Sequence, residues 1–131
     1  MLVYEYATNR LTPVIMFCSD TVHRKTEFSL YRALILVDSK EKLQKIKQDI
    51  LSNDYLKDIL SDDICTIQVK TSGYGFNIVF CPTGSELRVV YTDFSSRGRK
   101  ANMILYDFDR CDLQTKRVIE SLWIPYTPRI K

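Results

Sequence analysis

The sequence has few of the residues that build metal sites, disulfide frameworks and membrane spans. It contains one histidine and four cysteines in 131 residues, and the cysteines are far apart, with no C-x-x-C pair. A structural zinc site needs closely spaced ligands, so this composition disfavours one. No apolar run approaches the roughly 20 residues that a membrane helix needs, and the start, MLVYEYATNR, lacks signal-peptide features. We therefore predict an intracellular protein with no membrane partner.

Glycine and proline are also scarce, with four of each, which leaves little room for a long flexible linker. The chain length is near the usual size for one hydrophobic core, so we predict a single domain over residues 1–131. The net charge of +3 is too small to indicate a nucleic-acid partner by itself. A local basic cluster of Arg97, Arg99 and Lys100 is a candidate for phosphate contact, although such clusters often serve only solubility.

Two continuous apolar runs stand out in the first third of the chain. Pro13–Cys18 (PVIMFC) and Ala33–Val37 (ALILV) are typical of strands that are covered on both faces. After the second run, Asp38 and Glu41 have the spacing of a capping box, which predicts a helix N-terminus. The apolar residues that follow recur at helical spacing and predict a buried helix face: Leu43, Ile46, Ile50 and Leu51.

The periodicity then changes from helical to alternating. The segments Cys65–Val69, Phe76–Phe80 and Leu87–Tyr91 each place alternate apolar residues on one face, and glycine-containing turns join them, which predicts an antiparallel meander. An acidic strand, Asn102–Asp107, and an amphipathic helix, Leu113–Trp123, follow. The inward face of that helix is predicted to contain Leu113, Val118, Ile119 and Leu122. The element order predicts an α/β fold whose parallel sheet is made mixed by the meander.

The segment Ser95–Asp109, SSRGRKANMILYDFD, joins a basic, glycine-containing loop to an apolar strand that ends in Asp107 and Asp109. Many nucleotide-driven motors use a buried strand in this way to deliver an acid to a phosphate-bound Mg²⁺. An apolar run that ends in an acid is also common in ordinary central strands of α/β domains. The motif alone therefore leaves both interpretations open.

In the order of its predicted strands, helices and loops, the chain resembles the ATPase domain of the large terminase subunit, the motor that packages DNA into viral capsids. Ala33–Ile50 is similar to the strand and helix that follow the phosphate-binding loop of that family, and Phe80–Val90 is similar to its hairpin. Ser95–Asp109 resembles the segment that leads to the acidic strand, and Arg117–Pro125 (RVIESLWIP) resembles the helix after it. The resemblance implies a three-layer, P-loop-NTPase-like mixed sheet with a β-hairpin or meander insertion, flanked by helices.

The resemblance also implies a function and a set of site residues. The expected cofactors are ATP and Mg²⁺, and the expected partners are DNA and other viral packaging proteins in the host cytoplasm. Asp107 would be the metal acid and Asp109 a second catalytic candidate, while Lys25 and Thr26 would contact the phosphates and the metal. The basic cluster of Arg97, Arg99 and Lys100 would contact nucleic acid.

The chain also departs from the family pattern. A phosphate-binding loop needs glycines so that backbone N–H groups can close on the phosphates. The corresponding segment here, Ser19–Phe28 (SDTVHRKTEF), has no glycine, and Arg24 stands where one is expected. Phe108 occupies the usual position of the glutamate that activates water. We therefore expect ATP hydrolysis to be reduced or lost.

Two other interpretations remain open. The chain could be a small viral or mobile-element α+β protein that binds and modulates a host protein, because its eight tyrosines and Trp123 offer interface anchors. It could also be a nucleic-acid-binding module that uses the loop from Arg97 to Lys100.

Overall fold

A six-stranded sheet with helices against it forms the framework of the fold. The computed structural model describes residues 3–19, 32–60, 67–72, 75–80, 85–91, 101–109 and 113–122. The strands are β1 (Val3–Glu5), β2 (Arg32–Val37), β3 (Ile67–Ser72), β4 (Gly75–Phe80), β5 (Ser85–Tyr91) and β6 (Met103–Asp107). The helices are α1 (Leu11–Ser19), α2 (Lys40–Leu51), α3 (Asp54–Leu60) and α4 (Leu113–Leu122), and a short 3-10 helix, Thr8–Arg10, precedes α1.

The strand order is β1-β6-β2-β5-β4-β3. The first four strands in this order are parallel, whereas β4 and β3 run antiparallel and complete the meander with β5. In the centre, Ala33 of β2 pairs with Leu87 of β5 on one side and with Met103 of β6 on the other. The predictions of an α/β fold, a mixed sheet and a three-stranded meander are confirmed.

Both faces of the sheet are apolar because successive strand residues point to opposite sides. On the first face, Ala33, Ile35 and Val37 pack in one cluster with buried side chains of α1, α2 and α3. On the second face, Leu34 and Leu36 pack in a separate cluster that includes Ile119 of α4. The continuous apolar run of β2 is therefore explained by cover on both faces.

The strand predicted at Pro13–Cys18 is wrong, because this segment lies within helix α1. The buried residues of α1 recur at helical spacing, and they are Leu11, Val14, Ile15 and Cys18. Pro13 lies in the first helical turn, where its missing N–H removes no helical hydrogen bond. The 3-10 helix Thr8–Arg10 leads directly into α1, and β1 is the edge strand of the parallel group.

Helix α2 begins one residue later than the capping-box spacing predicts. Ser39 is the N-cap, and its Oγ accepts a hydrogen bond from the N–H of Lys42 at 3.2 Å. Asp38 precedes the cap and takes part in the ion pairs described below. The buried face of α2 is confirmed for Leu43, Ile46 and Ile50. Leu51, at the last position of the helix, is exposed.

The shorter helices α3 and α4 complete the two helical layers. Asn53 caps α3, since its Oδ1 accepts from the N–H of Leu56 at 3.1 Å and its Nδ2 donates to Thr12 Oγ1 at 3.1 Å. In α4, Ile119 is buried as predicted, but Leu113 is 66% exposed, because it lies at the first residue of the helix. The side chains of Val118 and Leu122 lie outside the described part of the structure.

No helix among the described residues combines the length and the apolar character needed to span a membrane.

Candidate functional site

The topology favours a crevice at the carboxyl ends of β2 and β6. These two strands are parallel neighbours, and Val37 pairs with Asp107 at their ends. After β2 the chain forms α2 on the first face, whereas after β6 it forms α4 on the second face. A ligand-binding crevice commonly forms outside the carboxyl ends of strands where successive connections separate in this way. The candidate site is therefore the edge of the sheet beyond these two strands.

Four charged side chains meet at this edge, and we call them the acid–lysine cluster: Asp38, Lys42, Asp107 and Asp109. The Nζ atom of Lys42 lies 2.8 Å from Asp38 Oδ1 and 2.8 Å from Asp109 Oδ1. It lies 3.8 Å from Asp107 Oδ1. Lys42 comes from the first turn of α2, so the ammonium lies among three carboxylates delivered by two strand ends.

Backbone atoms strengthen the connection between the two strand ends. The N–H of Asp109 donates to Asp38 Oδ2 at 2.8 Å, and Lys42 Nζ donates to the carbonyl oxygen of Asp107 at 3.5 Å. Lys42 Nζ and Asp38 Oδ1 lie within ion-pair distance, but their contact does not have the geometry of a hydrogen bond. The Lys42 side chain is 19% exposed and that of Asp109 is 85% exposed, so the cluster extends from a partly buried interior to the surface.

The electrostatics of the cluster favour its charged form. Burial alone would raise the pKa of Asp38, but the ammonium of Lys42 and the N–H of Asp109 outweigh burial and lower it below its usual value. Burial alone would lower the pKa of Lys42, but its bonds to Asp109 and Asp38 raise it above its usual value. With three carboxylates and one ammonium, the cluster carries an excess of two negative charges.

A tyrosine from the neighbouring strand end lies on the first face of the sheet beside α2. Tyr6 follows β1, and its N–H donates to the carbonyl oxygen of Tyr106 at 2.8 Å. Its hydroxyl donates to Asp49 Oδ2 of α2 at 2.9 Å. Burial and the bond to the Asp49 carboxylate both raise the pKa of the Tyr6 hydroxyl. This contact ties β1 to α2 next to the candidate site.

The described side chains do not fit a Mg²⁺ ion as they are arranged. Mg²⁺ requires near-octahedral oxygen ligands at about 2.0–2.1 Å. Within the described residues, no group of three or more histidine, cysteine or acidic side chains could hold a metal ion. The carboxylates of Asp38 and Asp109 instead converge on the Lys42 ammonium. The position between the carboxylates is therefore filled by a cation of the chain itself.

The structure brings together two of the residues that the sequence singled out, Asp107 and Asp109, through their shared contact with Lys42. Phe108, between them, stacks on Tyr106 with ring centroids 5.9 Å apart and packs against the second-face cluster. The remaining predicted site residues lie outside the described residues: Lys25, Thr26, Arg97, Arg99 and Lys100.

The sequence reasoning missed Asp38 and Lys42 as members of the site. Asp38 follows a predicted buried strand, and Lys42 lies four residues later, at the spacing of a helical ion pair. These signals point to a pair, but they do not indicate that β6 lies next to β2. The register of the sheet is what adds Asp107 and Asp109.

Comparisons with known proteins leave the family of the chain open. No protein-family model matches it, and neither a curated protein nor a solved structure matches it.

Proposed function

We propose that the chain is a binding domain with a motor-like α/β sheet that does not hydrolyse ATP at a useful rate. The observation that carries this proposal is the position of Lys42 Nζ, 2.8 Å from both Asp38 and Asp109. Phosphoryl transfer needs a metal ion to neutralise the charge on the phosphate oxygens. An ammonium held by these carboxylates occupies the space that such an ion would need.

The segment before β2 also supports the absence of hydrolysis. In a phosphate-binding loop, a strand leads into a glycine-rich turn and then into a helix. Here the segment predicted as that strand, Pro13–Cys18, lies in helix α1. The first glycine of the chain is Gly73, so the turns after β1 and β2 contain none. Backbone N–H groups at these turns lack the freedom that glycine provides for closing on phosphates.

Our narrower proposal is that this domain works in viral DNA packaging, where it would bind DNA and other packaging proteins. The support is the terminase-like order of segments, with the acidic strand β6 after a meander and directly beside β2. In this proposal the acid at the end of β6 is retained as part of a binding surface, and its metal has been replaced by Lys42.

Titration with Mg-ATP and a turnover assay test the loss of hydrolysis. We expect no turnover above that of the Asp107→Asn variant, and no Mg²⁺-dependent heat of ATP binding. Lys45→Met, at an exposed position of α2 outside the cluster, controls for the effect of substitution in general. Robust Mg²⁺-dependent turnover that disappears in Asp107→Asn would overturn the proposal.

Partner capture tests the binding role of the crevice. Asp109 is mostly exposed, so Asp109→Lys reverses a charge at the crevice. Asp54→Lys makes the same change at an exposed position of α3, outside the acid–lysine cluster. If packaging proteins bind here, Asp109→Lys will weaken their capture and Asp54→Lys will not. Capture of a host protein with the same dependence would instead favour a host-modulating role, and equal capture by both variants would exclude this crevice as the interface.

A second candidate function is nucleic-acid binding through Arg97, Arg99 and Lys100. The acid–lysine cluster carries excess negative charge and repels phosphates, so DNA would have to bind elsewhere on the chain. The basic residues offer that alternative. Replacing Arg97 and Arg99 with alanine should reduce the salt slope of DNA affinity by about 2. An unchanged slope would exclude these residues from phosphate contact.

A further inference from the structure

The second face of the sheet changes from apolar to polar between β2 and β4. Leu34 of β2 and Val90 near the end of β5 belong to the apolar cluster of this face. On β4 and β5, the residues that alternate with the buried side chains of the first face include three polar ones, which we call the arginine site: Asn77, Glu86 and Arg88. The side chains of Arg88 and Glu86 are 32% and 29% exposed, so solvent reaches this part of the face.

Contacts within the arginine site hold the Arg88 guanidinium in place. Asn77 pairs directly with Arg88 across β4 and β5, and its Nδ2 donates to Glu86 Oε2 at 3.4 Å. The other carboxylate oxygen, Glu86 Oε1, lies 3.0 Å from Arg88 Nε. Glu86 therefore connects the amide of Asn77 to one side of the guanidinium. Among the described contacts, the two Nη groups of Arg88 have no hydrogen-bond partner, so they are free to donate to a ligand.

Two buried polar atoms of the arginine site lack a hydrogen bond. Asn77 Oδ1 and Arg88 Nε are shielded from solvent, and neither has a hydrogen-bond partner within the described part of the chain. The contact between Arg88 Nε and Glu86 has ion-pair distance without hydrogen-bond geometry. Buried polar groups normally find partners, because a group without one destabilises the fold. Departures from this rule are typical of functional sites, so the arrangement favours a binding role over a purely structural one.

The charge and shape of the arginine site match a single carboxylate. Arg32 of β2 is exposed and pairs with Glu86, so two arginines and one glutamate leave an excess of one positive charge. Two Nη groups of one guanidinium match the two oxygens of a carboxylate. A nucleic acid, by contrast, needs a row of cations for its phosphates, and Glu86 would repel them. The acid–lysine cluster lies at the other end of β2, because Arg32 begins this strand and Asp38 follows its last residue.

We propose that the arginine site binds a glutamate or aspartate side chain from an acidic peptide segment of a partner protein. The carboxylate of the partner accepts hydrogen bonds from both Nη groups of Arg88, which is the binding residue. Glu86 and Asn77 are positioning residues, because they fix the guanidinium without contacting the ligand. The site lies outside the crevice, so it goes beyond the proposed function and does not depend on it.

Fluorescence anisotropy with the full chain and a labelled peptide of alternating glutamate and glycine tests the proposal. We expect saturable binding that weakens about tenfold in Arg88→Gln, because hydrogen bonds to a charged group are lost. Arg88→Lys keeps the charge but lacks the paired N–H groups, so it should also bind more weakly than the wild type. Arg10→Gln is the matched control and should bind normally, because it removes the same charge at an exposed position beside β1, the far strand of the sheet.

Asn77→Ala separates positioning from simple charge attraction. This variant leaves the net charge unchanged, so a weaker affinity for the peptide would report the loss of the hold on Glu86. We expect a decrease smaller than that of Arg88→Gln. Circular dichroism checks that each variant is folded, and Arg88→Lys decides the question if Arg88→Gln does not fold.

Several results would overturn the proposal. They are an absence of peptide binding by the wild type, equal weakening in Arg88→Gln and Arg10→Gln, or wild-type affinity in Arg88→Lys. Wild-type affinity in Asn77→Ala would remove Asn77 from the site and contradict the positioning role. A labelled oligothymidine that binds more tightly than the peptide, with the same dependence on Arg88, would assign the surface to nucleic acid instead.

Discussion

Replacing Lys42 with methionine is the most direct perturbation of the candidate site. Methionine is similar to lysine in length and in helix propensity, so the change removes the charge with little effect on α2 itself. It leaves Asp38, Asp107 and Asp109 close together without their shared cation. We expect the folded state to lose stability, because three carboxylates that were attracted to one ammonium now repel one another.

The size of this stability loss follows from the solvent exposure of the charged side chains that Lys42 contacts. Exposed ion pairs contribute about 0.2–1 kcal/mol, whereas breaking a fully buried pair costs about 3–5 kcal/mol. Lys42 is 19% exposed and Asp38 is 31% exposed, so their pair lies between these limits. The pair with Asp109, which is 85% exposed, belongs near the lower limit. We therefore expect a loss of about 2 kcal/mol, which corresponds to a fall in Tm of about 6–10 °C for a domain of this size.

Urea unfolding at neutral pH, followed by circular dichroism, measures this loss as a change in the free energy of unfolding. Lys45→Met is the control, and an exposed substitution of this kind changes stability by less than about 0.5 kcal/mol. A double-mutant cycle with Asp38→Asn should give a coupling of about 1 kcal/mol. Equal stabilities for Lys42→Met and Lys45→Met, or a coupling near zero, would refute the assignment of these contacts as stabilising.

The pH dependence of the free energy of unfolding tests whether the charged form of Asp38 stabilises the folded state. The folded-state pKa of Asp38 is lowered, so its stabilising contribution is present above the unfolded value of about 3.9 and is lost as the pH falls through the folded pKa. The difference in stability between the wild type and Lys42→Met should therefore shrink in acid. A difference that stays constant from neutral pH to about pH 2 would contradict this explanation.

Three further predictions concern the frame around the site. The pKa of Tyr6 is raised, so its neutral form stabilises the folded state below about pH 10, and this stability is lost as the pH rises through the folded pKa. Tyr6→Phe should therefore reduce the dependence of the free energy of unfolding on pH in the alkaline range. Asn53→Ala removes the cap that accepts the N–H of Leu56, and thermal unfolding should report a loss of about 1 kcal/mol. Ile46→Ala leaves a cavity in the first-face core, and urea unfolding should show a loss of about 2–5 kcal/mol, whereas a loss below 1 kcal/mol would contradict its full burial.

Much of the fold could be predicted from periodicity. The alternation in β4 and β5 and the helical spacing in α2 each identify a buried face, and the structure confirms both. The failure at α1 has a physical cause, because a short continuous apolar run fits a buried strand and a buried helix equally well. Residues Leu11 and Cys18 lie at the two ends of its buried stripe, and only packing against the sheet distinguishes the alternatives.

The site was less predictable than the fold. Asp107 was identified because an acid ends an apolar strand, which is a local signal. Its neighbours Asp38 and Lys42 become part of the site only because β6 inserts beside β2, and the register between distant strands is not encoded in local spacing. The position of the Lys42 ammonium among these carboxylates is likewise a property of the three-dimensional structure, and no sequence motif predicts it.

The position of β6 in the sheet has a consequence for the order in which the protein can assemble. It is the last strand in the described part of the chain, yet it pairs with β1 on one side and with β2 on the other. A ribosome-bound chain that lacks residues 103–107 therefore has no bridge between its first two strands, and β1 has no strand partner within the described sheet. Such long-range pairing slows folding, because the chain loses the entropy of loop closure before it gains the contacts that compensate for this loss. The pairing of β1 and β2 with β6 must then form after most of the chain has been synthesised, while the meander can form earlier from local contacts.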